Sequence, residues 1–312
     1  MTTDEHKSTA LTDTPDPFEG VNLSDLDRSL RRPRTFIDFS LNGVVTVMTM
    51  LSLIPLFSVV IMLLWRGGQR LSTAVFTQLP PAPLEEGGGF GNAIVGTIII
   101  VALAVIVTVP FGILTAIFLA RAENSRVAAT VRFCAKILTG FPSILAGVFT
   151  YGAIVLTTGG YSTLAGAIAL SILMLPTIIL TSEDAIRMVP ARMSHAAIGM
   201  GATSTQLVWM VLLPTALPSI LTGVMLAVAR AAGETAPLLF TALFSNYWLW
   251  SRGDFNLMQP TASLAVLIYN FASMPFQNQL ELAWAASLIL VLLVLSANLI
   301  GQSFSSRAHN QV

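Results

Sequence analysis

Residues 93–120 run for 28 positions without one charged side chain. A helix needs about 20 such residues to cross the hydrocarbon core of a bilayer, so this stretch by itself makes the chain a membrane-spanning one. Five further apolar runs repeat the pattern, at 41–65, 133–156, 164–181, 217–244 and 282–303. Over its full length the chain is 54% hydrophobic and 10% charged, against roughly 25% charged in a soluble domain. The expected fold class is therefore all-α, a polytopic membrane protein with about six transmembrane helices.

The segments between the runs set the organisation. Residues 1–39 carry eight acidic side chains with Pro, Thr and Ser and no apolar run. They are expected to form a disordered tail rather than a signal peptide. The first transmembrane helix occupies 40–66, closed by Trp65 and Arg66 at an interface. The stretch P-P-A-P-L-E-E-G-G-G-F-G at 80–91 cannot be a lipid-facing helix and marks the turn into the second span. A transmembrane domain is expected over 90–304, its third and fourth spans joined by a short T-T-G-G-Y-S turn, with a C-terminal tail at 305–312. The apolar run at 262–272 is too short to cross and is expected to be re-entrant or interfacial. A lone cysteine, Cys134, allows no internal disulfide and offers no thiolate cluster for a metal.

Lys and Arg in the loops set the orientation. With the N-terminus inside, five fall in the tail, four at 121–136, two between the fourth and fifth spans, and one at Arg307, twelve in all. The other side receives Arg66, Arg70 and Arg252, and Arg230 is left in the membrane. Both termini are thus expected to be cytoplasmic, and 183–214 becomes the largest loop between spans on that side. Within it, Pro190 suits the first turn of a helix, and Met193, Ala196, Ala197 and Met200 fall on one face. Gly199 and Gly201 would stop that helix, and a second could start after Thr203 or Ser204 and run to Pro214. On physical grounds the first helix could be an amphipathic surface helix or a docking element for a partner.

The spacing H-A-A-x-x-x-G-x9-V-x-L-P, carried by His195, Ala196, Ala197, Gly201, Leu213 and Pro214, resembles the E-A-A-x-x-x-G-x9-I-x-L-P signature of bacterial ABC importer permeases. His195 stands where Glu is usual, and Val211 replaces Ile. Three further segments narrow the resemblance: R-A-A-G-E-T-A-P-L-L-F-T at 230–241, L-T-G-F-P-S-I-L-A-G-V-F at 138–149 and N-A-I-V-G-T at 92–97 are similar to PstA-type permeases of phosphate-specific ABC importers. The resemblance implies a type I ABC importer permease fold in a bacterial inner membrane. It implies three partners besides membrane lipid: a homologous PstC-like permease subunit, a PstB-like ATPase dimer, and a periplasmic PstS-like phosphate-binding protein. It also makes the 191–201 segment the ATPase-coupling element.

The residues agree with that division of labour. The nearest approach to a phosphate-binding loop, G-N-A-I-V-G-T-I at 91–98, lacks the Lys such a loop requires. No cofactor is expected on this chain, ATP belonging to the partner ATPase, and neither an enzymatic centre nor a nucleic-acid surface is expected. His195 has no partner at helical spacing that would make it a metal ligand.

Arg230 and Glu234 interrupt the fifth apolar run. Counted from Leu217 at 1.5 Å per residue, Arg230 lies about 20 Å along that span, near the midplane. An Arg at a helix centre costs about 2.5–3.5 kcal/mol, so its side chain must face protein or water. Glu234, four residues on, shares its face. The pair is either a structural ion pair between helices or a substrate device, in which Arg230 offers a permanently charged fork to an oxyanion and Glu234 orients it. Pro237 is expected to kink the helix just beyond the pair. Thr235, and Ser143 after Pro142, are further candidates along the path, although packing at a proline kink explains Ser143 as well.

Three other readings differ at identifiable points. A permease for molybdate or sulfate would share the loop spacing but not R-A-A-G-E-T-A-P. An ATP-independent transporter would leave the loop signature unexplained. A membrane-embedded enzyme would need clustered His, Asp or Glu, which the spans do not contain.

Overall fold

A computed structural model describes residues 33–122, 124–250 and 255–309. The expected N-terminal tail lies outside these residues except for its last positions, as do 310–312. All regular structure among the described residues is helical. Five helices are long and apolar enough to cross a membrane, at Ile37–Gly67, Gly91–Arg121, Thr163–Arg187, Ser204–Ala232 and Gln277–Ser303. A pair of helices, Arg126–Thr139 and Ser143–Thr158, bent by 107° where they meet, forms either a broken sixth span or a re-entrant loop.

The described residues fall into two units that divide at Val59. The first holds most of α1, Pro33–Met62, an apolar helix with no buried residue from Ile37 onward. The second holds the remaining elements. They are α2 (Thr73–Thr77), α3 (Gly91–Arg121), α4 (Arg126–Thr139), α5 (Ser143–Thr150), α6 (Leu156–Thr158), α7 (Thr163–Arg187), α8 (Ala191–Gly199), α9 (Ser204–Gln206), α10 (Leu213–Ala232), α11 (Ala236–Thr241), α12 (Leu264–Ala272) and α13 (Gln277–His309). Stretches with one extra residue per turn, at Leu63–Gly67, Tyr151–Val155 and Leu207–Leu212, link some of them.

The centre of this unit is α7. A Cβ on Gly112 of α3 would meet Ile178, and one on Gly166 would meet Ala242, Leu238 and Ile100. A Cβ on Gly223 of α10 would strike Thr181. These glycines allow backbones to approach closely, the usual basis of helix association in lipid. The pairings Ile100–Gly166 and Gly112–Ile178 make α3 and α7 parallel, whereas Thr181–Gly223 and Gly166–Leu238 make the α10–α11 segment antiparallel to both. Buried Ile100, Leu170, Met174, Ile178 and Ile220 fill the space between them.

The structure corrects two expected spans. The third, at 133–156, is not one rod: α4 ends at Thr139, and Gly140, Phe141 and Pro142 turn the chain before α5. Pro142 lacks the N–H needed to continue the ladder and keeps Phe141 out of helical geometry. The fifth does not start at 217. Thr203 caps a helix at Ser204, its side chain accepting from Gln206 N while Gln206 reaches back to Thr203 N. That helix runs on through Pro214 to Ala232. The widened turn at Leu207–Leu212 lies immediately upstream and accommodates the proline.

The 262–272 run forms α12, a nine-residue helix buried among α3 and α13. The Thr97 hydroxyl accepts from Leu264 N at 2.8 Å and Ser263 caps the same end, so α12 begins on α3 rather than spanning alongside it.

Candidate functional site

The charged pair sits where a membrane helix stops. Arg230 is in the last turn of α10, and α11 restarts at Ala236 with Pro237 in its first turn. Pro237 cannot donate to the carbonyl of Gly233, so the ladder fails there. Gly233 N and Glu234 N instead donate to the carbonyls of Arg230 and Ala231, closing the helix end. The expected kink beyond the pair is thus a complete break that contains Glu234. Arg230 Nε lies 3.3 Å from Glu234 Oε1, with side-chain exposures of 52% and 16%. Among the described residues the contact joins the end of α10 to the break that follows it.

Its height follows from neighbours. Gly223 is level with Thr181, and Leu238 with Gly166. Arg230 lies seven residues after the first and eight before the second, opposite the middle of α7. Counting from Leu217 expected a position near the midplane; the helix in fact starts thirteen residues earlier, and the structure gives the height relative to α7 alone. A guanidinium half exposed at that height cannot face hydrocarbon without the cost given above.

A second broken helix meets the first. A Cβ on Gly147 of α5 would stand 2.7 Å from Pro237 Cα. Ser143, four residues earlier at the first position of α5, is at about the height of Gly233. Two interrupted helices therefore restart side by side, with the N-terminal turn of α5 near the level of the pair, a helix end whose dipole favours negative charge. No hydrogen bond joins Ser143 to Arg230 or Glu234 among the described residues. Thr235 is half-buried at the cap position of α11, its carbonyl accepting from Leu238 and Leu239 N. Thr241 is buried and donates to its own helix at Pro237 O, leaving no hydroxyl proton for a path.

The loop 183–214 shows why its spacing matters. Ala202 N donates to Ala197 O and Gly201 N to Ile198 O, with Gly201 at φ +87°. This is a helix end that requires a left-handed residue, hence glycine at that position. Ala197 is buried beneath the turn, while His195, Ala196 and Met200 are exposed. Of the four residues expected on one face, Ala197 is buried and Met193 half-buried, while Ala196 and Met200 are exposed. Leu213 is half-buried and Pro214 exposed at the start of α10.

One cluster was not anticipated from the sequence. Glu183, buried in α7, accepts from Arg132 Nη2 at 2.6 Å and from Arg187 Nε at 3.0 Å. Both arginines also reach Leu119 O at the end of α3. The Arg187 contact is visible as an i, i+4 spacing. Arg132 lies 51 residues away, and only the bend between α4 and α5 brings it there.

Residues 108–310 match the family model "Binding-protein-dependent transport system inner membrane component". A protein named "Phosphate transport system permease protein PstA" from Xylella fastidiosa (strain 9a5c) is 39% identical over 239 residues, covering 76% of this chain and 81% of the relative. A protein of the same name from Yersinia pestis is 37% identical over 246 residues, covering 78% and 82%. Among solved structures, a chain of a bacterial alginate ABC transporter in complex with an alginate pentasaccharide-bound periplasmic protein superposes with a TM-score of 0.62 at 16% identity, over 89% of this chain and 98% of the other.

Proposed function

The chain belongs to the binding-protein-dependent transport system inner membrane component family, and on that premise we propose that it is the permease subunit through which an ATP-driven importer carries inorganic phosphate. It is a multi-pass inner-membrane transport subunit with a type I ABC importer permease fold, not an enzyme. Its partners in this reading are a homologous PstC-like permease completing the path, a PstB-like ATPase dimer binding ATP, and a periplasmic PstS-like protein delivering phosphate. The loop charges support cytoplasmic termini, with α8 facing the ATPase.

The single observation that carries the substrate assignment is Arg230, half exposed opposite the middle of α7 and held by Glu234 at a helix break. A guanidinium offers a phosphate two parallel donors and keeps its charge at any physiological pH. Glu234 restrains the fork and accepts a hydrogen bond from a protonated phosphate oxygen. Ser143 and Thr235 flank the same level and supply hydroxyls.

Radiolabelled phosphate uptake in cells lacking their own permease, with protein level checked in the membrane fraction, tests this. Arg230→Lys keeps the charge without the fork and should transport poorly; Arg230→Gln should transport almost nothing. A purely structural pair makes the opposite prediction, since replacing an ion pair inside a membrane protein by apolar residues is often tolerated. Near-normal uptake by the Arg230→Leu, Glu234→Leu double variant would remove both residues from the substrate path. Molybdate or sulfate uptake without phosphate uptake would move the assignment to another oxyanion.

A further inference from the structure

Two of the three cations assigned to the non-cytoplasmic side, Arg66 and Arg70, line one pocket of about 290 Å³ with Gln69, Gln277, Glu281 and Trp284. The pocket lies beside the first turns of α13. Trp284 is seventeen residues, about 25 Å at 1.5 Å per residue, from Gly301, which packs on Met225 of α10. That places it toward the end of the molecule opposite α8, well away from Arg230.

Two donor atoms on the pocket's lining residues lack acceptors. Arg70 is fixed through Nη2, which donates to Asn278 Oδ1 at 2.7 Å and Gly87 O at 3.3 Å. Its Nε is buried and makes no hydrogen bond, the nearest carboxylate oxygen, on Glu281, standing 4.0 Å away. Trp284 Nε1 is likewise buried without an acceptor. Arg66 lies over the Trp284 ring, its Cζ 5.5 Å from the centroid. Glu281 accepts from Gln277 Nε2 at 3.1 Å on its other oxygen, so two guanidinium groups share the pocket's lining with one partly engaged carboxylate. Buried unpartnered donors are costly and uncommon in native folds. A group that supplies several acceptor oxygens and negative charge satisfies both at once.

The geometry points to a binding site for a tetrahedral phosphate group, separate from the transport path. The chemistry suits either a phospholipid headgroup or free inorganic phosphate. Exposed Ile61, Leu64 and Trp65 immediately before Arg66 mark a lipid-facing edge where Trp and Arg sit at headgroup level. The headgroup of an anionic phospholipid is therefore the expected occupant, with Trp284 Nε1 and Arg70 Nε donating to its phosphate oxygens and Arg66 adding charge.

Native mass spectrometry of the whole importer, released from discs containing phosphatidylglycerol and phosphatidylcholine, reads lipid retention directly. Equilibrium binding of radiolabelled inorganic phosphate to the importer in phosphatidylcholine discs, with Arg230→Gln as background, provides the second arm. Trp284→Phe keeps the ring beneath Arg66 and removes only the donor, and Arg70→Gln removes the charge. Losing one bond to a charged group should lower phosphatidylglycerol retention about tenfold. Selective retention that falls in both variants supports the headgroup. Saturable inorganic phosphate binding that falls in both, without lipid preference, supports the site with a soluble occupant. Equal retention and equal phosphate binding in wild type and both variants overturns it. Neither arm measures transport, so the outcome is independent of the Arg230 assignment.

Discussion

Glu183 shows how much one side chain can hold. It is almost fully buried and receives two guanidinium groups, so Glu183→Gln leaves Arg132 and Arg187 facing a neutral amide. Removing one partner of a buried pair costs about 3–5 kcal/mol, and thermal unfolding of the detergent-solubilised variant should show a clearly lowered midpoint. Gly201 acts through backbone alone. A Cβ there meets open space, yet φ +87° strains any other non-polar residue by about 1–2 kcal/mol. Gly201→Leu should therefore insert into the membrane normally while ATP hydrolysis no longer tracks phosphate uptake. Full coupled uptake would sever α8 from the ATPase. At this scale the sequence was legible where chemistry contradicts its surroundings: Arg230 and Glu234 stand out because an apolar run should contain neither. Glu183 and Arg132 did not, since each sits among ordinary loop-edge charges and their meeting depends on a bend.

The elements were legible as apolar lengths but not as joints. Composition located the spans, because burial in lipid demands it. It did not locate the breaks, because Pro142 and Pro237 end helices whereas Pro110, Pro176 and Pro218 lie within α3, α7 and α10. Neighbouring helices decide which proline a span tolerates. The packing of α5 on α11 gives a test. Gly147→Val places atoms into the Pro237 backbone and should reduce uptake to a small fraction of wild type at equal membrane level. Gly152→Ala, where a Cβ meets nothing within 4 Å, should transport normally. Equal activity in both would show that the two restarted helices need not touch. The Thr97 hydroxyl that accepts from Leu264 N supports α12 in the same way. Thr97→Val keeps the shape but removes an acceptor from a buried N–H, which costs about 1–3 kcal/mol and should lower the unfolding midpoint.

For the molecule as a whole, membrane class is legible in composition alone, because only 10% of its residues are charged. The relative heights of its groups are not, since they depend on glycine contacts between helices far apart in sequence. One continuous element links the two ends that matter. From Ser204, capped beside α8, the chain is helical without interruption to Ala232. Arg230 stands 26 residues, about 39 Å, along that rod. In the proposed coupling, a movement imposed at α8 would reach the guanidinium as at the far end of a lever, turned as well as displaced. One alanine inserted after Leu221 would turn Arg230 by about 100° about the helix axis, whereas four would return it to within about 40° of its original bearing. With membrane levels matched, uptake should vanish with one inserted residue and partly return with four, as if the importer were sensitive to the phase of a crankshaft rather than to its length.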